Sequence, residues 1–152
     1  MGTQQILLIV ISMIVIGLAV TFGITMFNRQ SFDSNRMAVA AEMQQLSTNV
    51  IQYWKTPVGM GGAGQNIAFA HSDSLGTNLG FVFESAKSPG QSSYWASTSD
   101  NGEYRLIGIE NSVVTFQALG VETKHHLHPR VETKIHLISG LIRTTFSEAE
   151  GF

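Results

Sequence analysis

The residues of this chain best suited to chemistry are its histidines. His125, His126 and His128 stand in the run HHLHP, and His136 follows soon after. Imidazole nitrogens bind zinc, copper or nickel. In an extended strand His126 and His128 share one face, so with His136 from a neighbouring strand they form the candidate metal set. There is no cysteine, and few carboxylates lie near the cluster to complete a site. A solvated connection between strands is the favoured reading, with no metal and no other cofactor expected.

Other motifs argue against catalysis. GMGGAG, Gly59 to Gly64, formally matches G-x-G-x-x-G, but that fingerprint must follow a strand and open a helix. Here it follows a helical pattern and opens a loop, so it reads as a flexible exit. VETKHHL and VETKIHL start at Val121 and Val131. The echo suggests two strands of like alternation, with Glu122, Lys124, Glu132 and Lys134 forming an exposed ladder worth about 0.2–1 kcal/mol per pair. Asp33, Glu42, Asp73, Glu84, Asp100 and Glu103 are dispersed, with no paired-carboxylate or Ser–His–Asp spacing, and the chain is read as a non-enzyme. Its nine Lys and Arg are scattered and its net charge is −2, without the basic run that nucleic-acid binding requires. Tyr53, Trp54, Tyr94 and Trp95 are read as packing residues rather than an electron-transfer chain.

The elements that carry these residues are easier to read. Gly2 to Phe27 contains no charged side chain. About 20 apolar residues in a helix cover the roughly 30 Å hydrocarbon core of a membrane, and Ile6 to Phe27 meets that length. A cleavable secretory signal fits poorly, because nothing basic precedes Ile6 and no A-x-A-like site follows. Beyond it, Phe32, Val39, Met43, Leu46, Val50 and Trp54 recur at steps of seven, four, three, four and four, the stripe of an amphipathic helix. No proline or glycine interrupts Asn28 to Lys55, and Pro57 stops the helix. A single rod from about Thr3 to Trp54 is therefore expected.

The remainder reads as β-structure. Runs rich in β-branched and aromatic residues predict antiparallel strands at about 104–110, 113–119, 131–138 and 141–147, with turn signals at Asn111, Gly120 and Ser139–Gly140. One face of this sheet is expected to cover the stripe. The glycine- and serine-rich segment between helix and sheet reads as loops with short strand pieces such as 79–83 and 94–97. The fold class is thus α+β: a long N-terminal helix on a small C-terminal antiparallel sheet. Residues 1–27 form an apolar helix and residues 28–152 a globular head that includes the amphipathic half of the rod.

Charge placement raises a difficulty. Arg29, Arg36 and Lys55 follow the apolar segment and no basic residue precedes it, which by the positive-inside rule places the head in the cytoplasm. Removal of a basic leader ahead of Met1 resolves it.

An apolar N-terminal helix that continues into an amphipathic one and then a small antiparallel sheet resembles the type IV pilins and pilin-like subunits, across the whole chain in architecture and over its first fifty or so residues in motif. The resemblance implies cleavage of a basic leader, storage of the apolar helix in the inner membrane, and later bundling of the helices in the core of an extracellular filament. The family's usual glutamate at the fifth mature position is absent: Gln5 stands there if Met1 is the mature end, and Leu7 if cleavage follows Gly2. The assembly residues implied are Gln5, Ile6, Leu7, Ile9, Val10, Ile14, Gly17, Val20, Gly23, Met26 and Phe27. The expected function is that of a structural filament subunit with identical copies as partners and the cell surface as location. The alternative is a single-pass membrane protein presenting a β-rich binding domain, and a third reading is a histidine-based metal-sequestering module. Gly17 to Thr25, with two glycines and two threonines, is the weakest stretch of the rod. Any break in the assembled rod is expected there.

Overall fold

The computed structural model describes residues 2–85 and 93–152. Helix α1 runs unbroken over Gly2–Lys55, about 80 Å at 1.5 Å per residue. Its second half buries Phe32, Val39, Met43, Ser47, Val50, Tyr53 and Trp54. The expected stripe is there, with Leu46 only half-buried at its margin. Ser47 is tolerated inside because its hydroxyl donates to the Met43 carbonyl at 2.7 Å, which pairs its own buried oxygen.

The helix stops before Pro57, and the following chain folds back on its end. Ala63 and Gln65 donate backbone N–H bonds to the carbonyls of Tyr53 and Trp54, and Gly64 to that of Thr56, at 2.8–3.0 Å. Carbonyls that a helix end leaves without partners are thereby satisfied. A Cβ on Gly62 would lie 2.1 Å from the Thr56 carbonyl oxygen, so only glycine allows this approach. The glycine run is therefore a tight wrap around the helix terminus and not the flexible exit expected. Short 3₁₀ turns at Val58–Met60 and Ile67–Phe69 lead to a second helix, α2 (Ser72–Asn78), in a segment expected to hold only loops and strand pieces.

The sheet has six strands: β1 (Val82–Glu84), β2 (Tyr94–Thr98), β3 (Gly102–Glu110), β4 (Val113–Gly120), β5 (His128–His136) and β6 (Ile142–Ala149). They lie in sequence order and every neighbour is antiparallel. The four expected strands are β3 to β6. The piece expected at 94–97 is β2, whereas that at 79–83 begins later, at Val82. Asn111 and Ser112 turn β3 into β4 with φ of 49° and 66°, the left-handed pair that suits the twist of a two-residue hairpin.

Alternation sorts the two faces. Tyr104 and Leu106, then Val114, Phe116 and Ala118, then Val131, Thr133 and Ile135 are buried beneath α1, which lies over β4 and β5. Helix α2 closes the β2 side. Its Gly76 packs so tightly on Trp95 that a Cβ would stand 2.4 Å from the indole, while the indole N–H donates to Asp73 at 3.0 Å. Tyr53 and Trp54 are buried, and Tyr94 stacks under the Arg105 guanidinium at 4.1 Å; these aromatics pack, as expected.

One local expectation fails. The segment 121–127 is not a strand echoing β5, because Lys124 and Leu127 close a tight turn through reciprocal backbone hydrogen bonds. His125 and His126 sit in that turn with φ of 53° and 67°. The exposed ladder shrinks accordingly to a Lys134–Glu132 ion pair at 3.1 Å, while Lys124 lies over the Phe32 ring.

Candidate assembly surface

The first half of α1 stands clear of the head. Every described residue from Gly2 to Gln30 is exposed, and the large apolar side chains from Ile6 to Phe27 are 48–71% accessible. Among the described residues α1 is the one helix long and apolar enough to cross a membrane. Its free half, about 39 Å long, exceeds the roughly 30 Å hydrocarbon thickness. Gln5, Ile6, Leu7, Ile9, Val10, Ile14, Gly17, Val20, Gly23, Met26 and Phe27 all lie on this segment.

These residues are distributed around the whole helix rather than along one stripe. A helix apolar on all sides is stable only when surrounded, so one flat contact with one neighbour does not satisfy it. The hydroxyls in the segment also turn inward. Ser12, Thr21 and Thr25 donate to the carbonyls of Leu8, Gly17 and Phe22 at 2.8–2.9 Å. Beyond Gln5, therefore, the surface offers apolar contact and shape.

The shape has notches. A Cβ built on Gly17 or Gly23 meets nothing within 4 Å, so both positions open outward. Ala19 and Gly23 are one turn apart on the same face, the small-xxx-small spacing that lets helix backbones approach closely in apolar surroundings. Gly17 lies about 200° around the helix from Ala19 at 100° per residue. Close approach is thus available on two sides.

Where the rod enters the head, polar side chains fasten it. Asn35 donates to the Asn101 carbonyl at 2.8 Å and accepts from the Glu122 backbone at 3.3 Å. Gly120 leaves room for it, since a Cβ there would strike the Asn35 oxygen. Two turns on, Glu42 accepts from the Ser99 hydroxyl at 2.9 Å and from the Asn101 side-chain amide. Burial opposes the charge on Glu42, but the polar side chains of Tyr104, Asn101 and Ser99 outweigh it and hold the carboxyl below its usual range. Burial and the nearby carboxylate push the Tyr104 hydroxyl well above the usual tyrosine range. That hydroxyl lies near Glu42 yet makes no hydrogen bond of ordinary geometry. The sequence gives no sign of this joint: Glu42 is one of the dispersed carboxylates, and its partners lie some sixty residues away in sequence.

The histidines are not brought together. His126 is exposed in its turn, His128 opens β5 with Nδ1 2.8 Å from the Gly120 carbonyl, and His136 closes the same strand. Eight strand residues at about 3.3 Å each separate the last two by roughly 26 Å. The shared face argued for His126 and His128 is lost because the backbone is turned there. Among the described residues no group of three or more histidine, cysteine or carboxylate side chains is placed to hold a metal.

Comparison with protein-family profiles, with curated proteins and with solved structures finds no match to this chain.

Proposed function

We propose that this chain is the structural subunit of an extracellular helical filament of the type IV pilin kind, polymerising with identical copies through the apolar half of α1. The observation that carries the reading is a rod, apolar on every side and about 39 Å long, that continues without a break into the helix seated on the sheet. Each apolar side chain that leaves water contributes about 1.5–3 kcal/mol, and only lipid or several neighbouring rods can receive all sides at once. Lipid serves before assembly and other copies serve after it.

Apolar burial alone does not favour copies over lipid, because lipid tails are as apolar as leucine. Packing makes the difference, and the open positions at Gly17 and Ala19–Gly23 support close contact with more than one neighbour. Continuity of the helix then carries a contact made by the rod to the position of the head. In this reading the chain passes through the cytoplasmic membrane and ends at the cell surface.

Negative-stain microscopy of sheared cell-surface material, with antibody against the head, tests the proposal. Labelled filaments are expected, with rods central and heads outside in a helical reconstruction. Recovery of the chain only as detergent-soluble monomer from membranes would replace this reading with that of a single-pass anchor presenting the head.

A further inference from the structure

Strand β6 stands apart from the rest of the sheet. It lies at one edge and pairs with β5 alone, and none of its eight side chains is buried. Helix α1 lies over β4 and β5. The residues that β6 turns to the helix side, Ile142, Thr144 and Phe146, are therefore at the margin of its cover. Ile142 and Phe146 remain 38% and 47% exposed. A strand with one neighbour and no side chain in the core belongs to the low-stability end of a fold.

Two arginine–aromatic contacts hold this strand, one on each face. On the helix side the Arg36 guanidinium lies over the Phe146 ring, 4.7 Å from its centroid. On the other side, residues 150–152 leave the ladder and set the Phe152 ring under the Arg105 guanidinium at 3.9 Å. Arg105 alternates with the buried Tyr104 and Leu106, so it stands on the face away from α1. It belongs to β3, with β4 and β5 between it and β6, so this short segment reaches past two strands. Arg105 is itself fixed in place. Its Nε donates to Glu103 at 2.9 Å, and the Tyr94 ring lies 4.1 Å away. Among the described residues, no hydrogen bond or ion pair of residues 150–152 accompanies the ring contact.

We propose that β6 and residues 150–152 form a separately opening unit of the head, clasped shut by the Arg36–Phe146 and Arg105–Phe152 contacts. The inference does not depend on the filament reading. A guanidinium over an aromatic face is attractive even where water reaches it, and the planar group keeps that contact where an ammonium would not stack. Such contacts suit a place that the core does not reach. Opening of β6 would uncover the edge of Val131, Thr133 and Ile135, buried residues that face Phe146, Thr144 and Ile142 across the ladder. The clasp thus guards the margin of the core.

The test is hydrogen exchange followed by NMR on the full chain in detergent micelles. Protected amides of β6 should exchange through an opening with a weaker denaturant dependence than those of β4, because one strand exposes less surface than the whole head. Phe152→Ala should speed β6 exchange about two- to fivefold, the scale of one partly exposed cation–π contact, and leave β4 unchanged. Phe152→Tyr keeps the ring and should match the parent. Adding Phe146→Ala should multiply the effect, since the two contacts share no residue.

Ring currents give a second readout of the same contact. The Arg105 side-chain proton signals should move downfield in Phe152→Ala and stay in place in Phe152→Tyr. Equal β6 exchange in the parent and Phe152→Ala, or Arg105 signals that do not move, overturns the clasp. Acceleration of β4 by the same factor as β6 shows that the head opens as one body and overturns the separate unit.

Discussion

Helix α1 is one element living in two environments. From Asn28 to Lys55 it has a buried stripe, a polar flank and side-chain bonds to the loops at 99–101 and 120–122. From Gly2 to Phe27 it has the same backbone with no side chain covered. The head half is held by contacts within its own chain, whereas the rod half is exposed along its whole length. Secondary structure is shared by the two halves, and side-chain partnership is what separates them.

A charge placed in the rod should break this comparison most sharply. Leu18→Arg is expected to cost about 2.5–3.5 kcal/mol at the centre of a membrane span, and more where several rods converge, so filaments should be absent on grids. The head should keep its thermal transition, since Leu18 touches none of it. If Leu18→Arg also unfolds the head, the halves are not independent. The converse change is removal of the rod: residues 28–152 alone should be a soluble, folded monomer by size exclusion and circular dichroism. Aggregation of that fragment would show that the sheet does not suffice to cover the stripe.

Next in size is a cavity in the head. Phe116→Ala empties a site that is 1% exposed beside Phe81 and should cost about 3–5 kcal/mol, measured by urea unfolding of the full chain in detergent. The same truncation in the rod, Phe22→Ala, should leave that unfolding curve unchanged and register only in filament yield.

Glycine-to-alanine changes sharpen the contrast further, because they should carry opposite signs in the two halves. Gly17→Ala and Gly23→Ala meet no atom within 4 Å and should raise helix stability by about 1 kcal/mol each, while membrane insertion persists and assembly weakens through loss of the notches. Gly76→Ala, which drives a methyl into Trp95, should destabilise the head. Equal filament yield for the rod double variant and the parent would refute the close approach of neighbours. In a filament map, a straight helix through Gly23, or a break near Ser31–Ser34, would refute the expectation that the assembled rod yields between Gly17 and Thr25.

The smallest effect concerns pH. The carboxyls of Glu42 and Glu132 are held below the usual value of 4.5. The stability they contribute is complete above that value and fades as pH falls through their lowered folded pKa values. Acid titration of the head should therefore show a loss of melting temperature confined to pH below about 4.5. Glu42→Gln should flatten part of it. The rod has no ionisable side chain from Gly2 to Phe27, and its helicity in micelles should not follow the titration.

Much of this plan is legible in the residues themselves. Twenty-six residues without a charge require an apolar environment whatever the rest of the chain does. The steps of three and four from Phe32 to Trp54 place one face of a helix inward, and runs of β-branched and aromatic residues between turn signals mark β3 to β6. Such patterns are local, and the physics behind them, helical pitch and strand pleat, acts over a few residues. Helix α2 was not legible, because Gly76 and its Ser and Thr neighbours are poor helix formers, and the contact with Trp95 that stabilises the turn comes from another part of the chain. The VETKHHL echo misled for a related reason: its likeness to VETKIHL suggested a strand, while the Lys124–Leu127 hydrogen bonds hold His125 and His126 in a turn between strands. The glycine run was legible as a breaker, but its purpose required seeing the chain return to the end of α1. Likewise the Glu42, Ser99, Asn101 and Tyr104 cluster exists only once β3 and the loop before it lie against the helix. By itself the sequence determined the elements that have a period and the surface that water rejects. Tertiary structure decided the rest, because a turn, a fitted glycine or a polar joint depends on groups that are distant in sequence until the sheet brings them together.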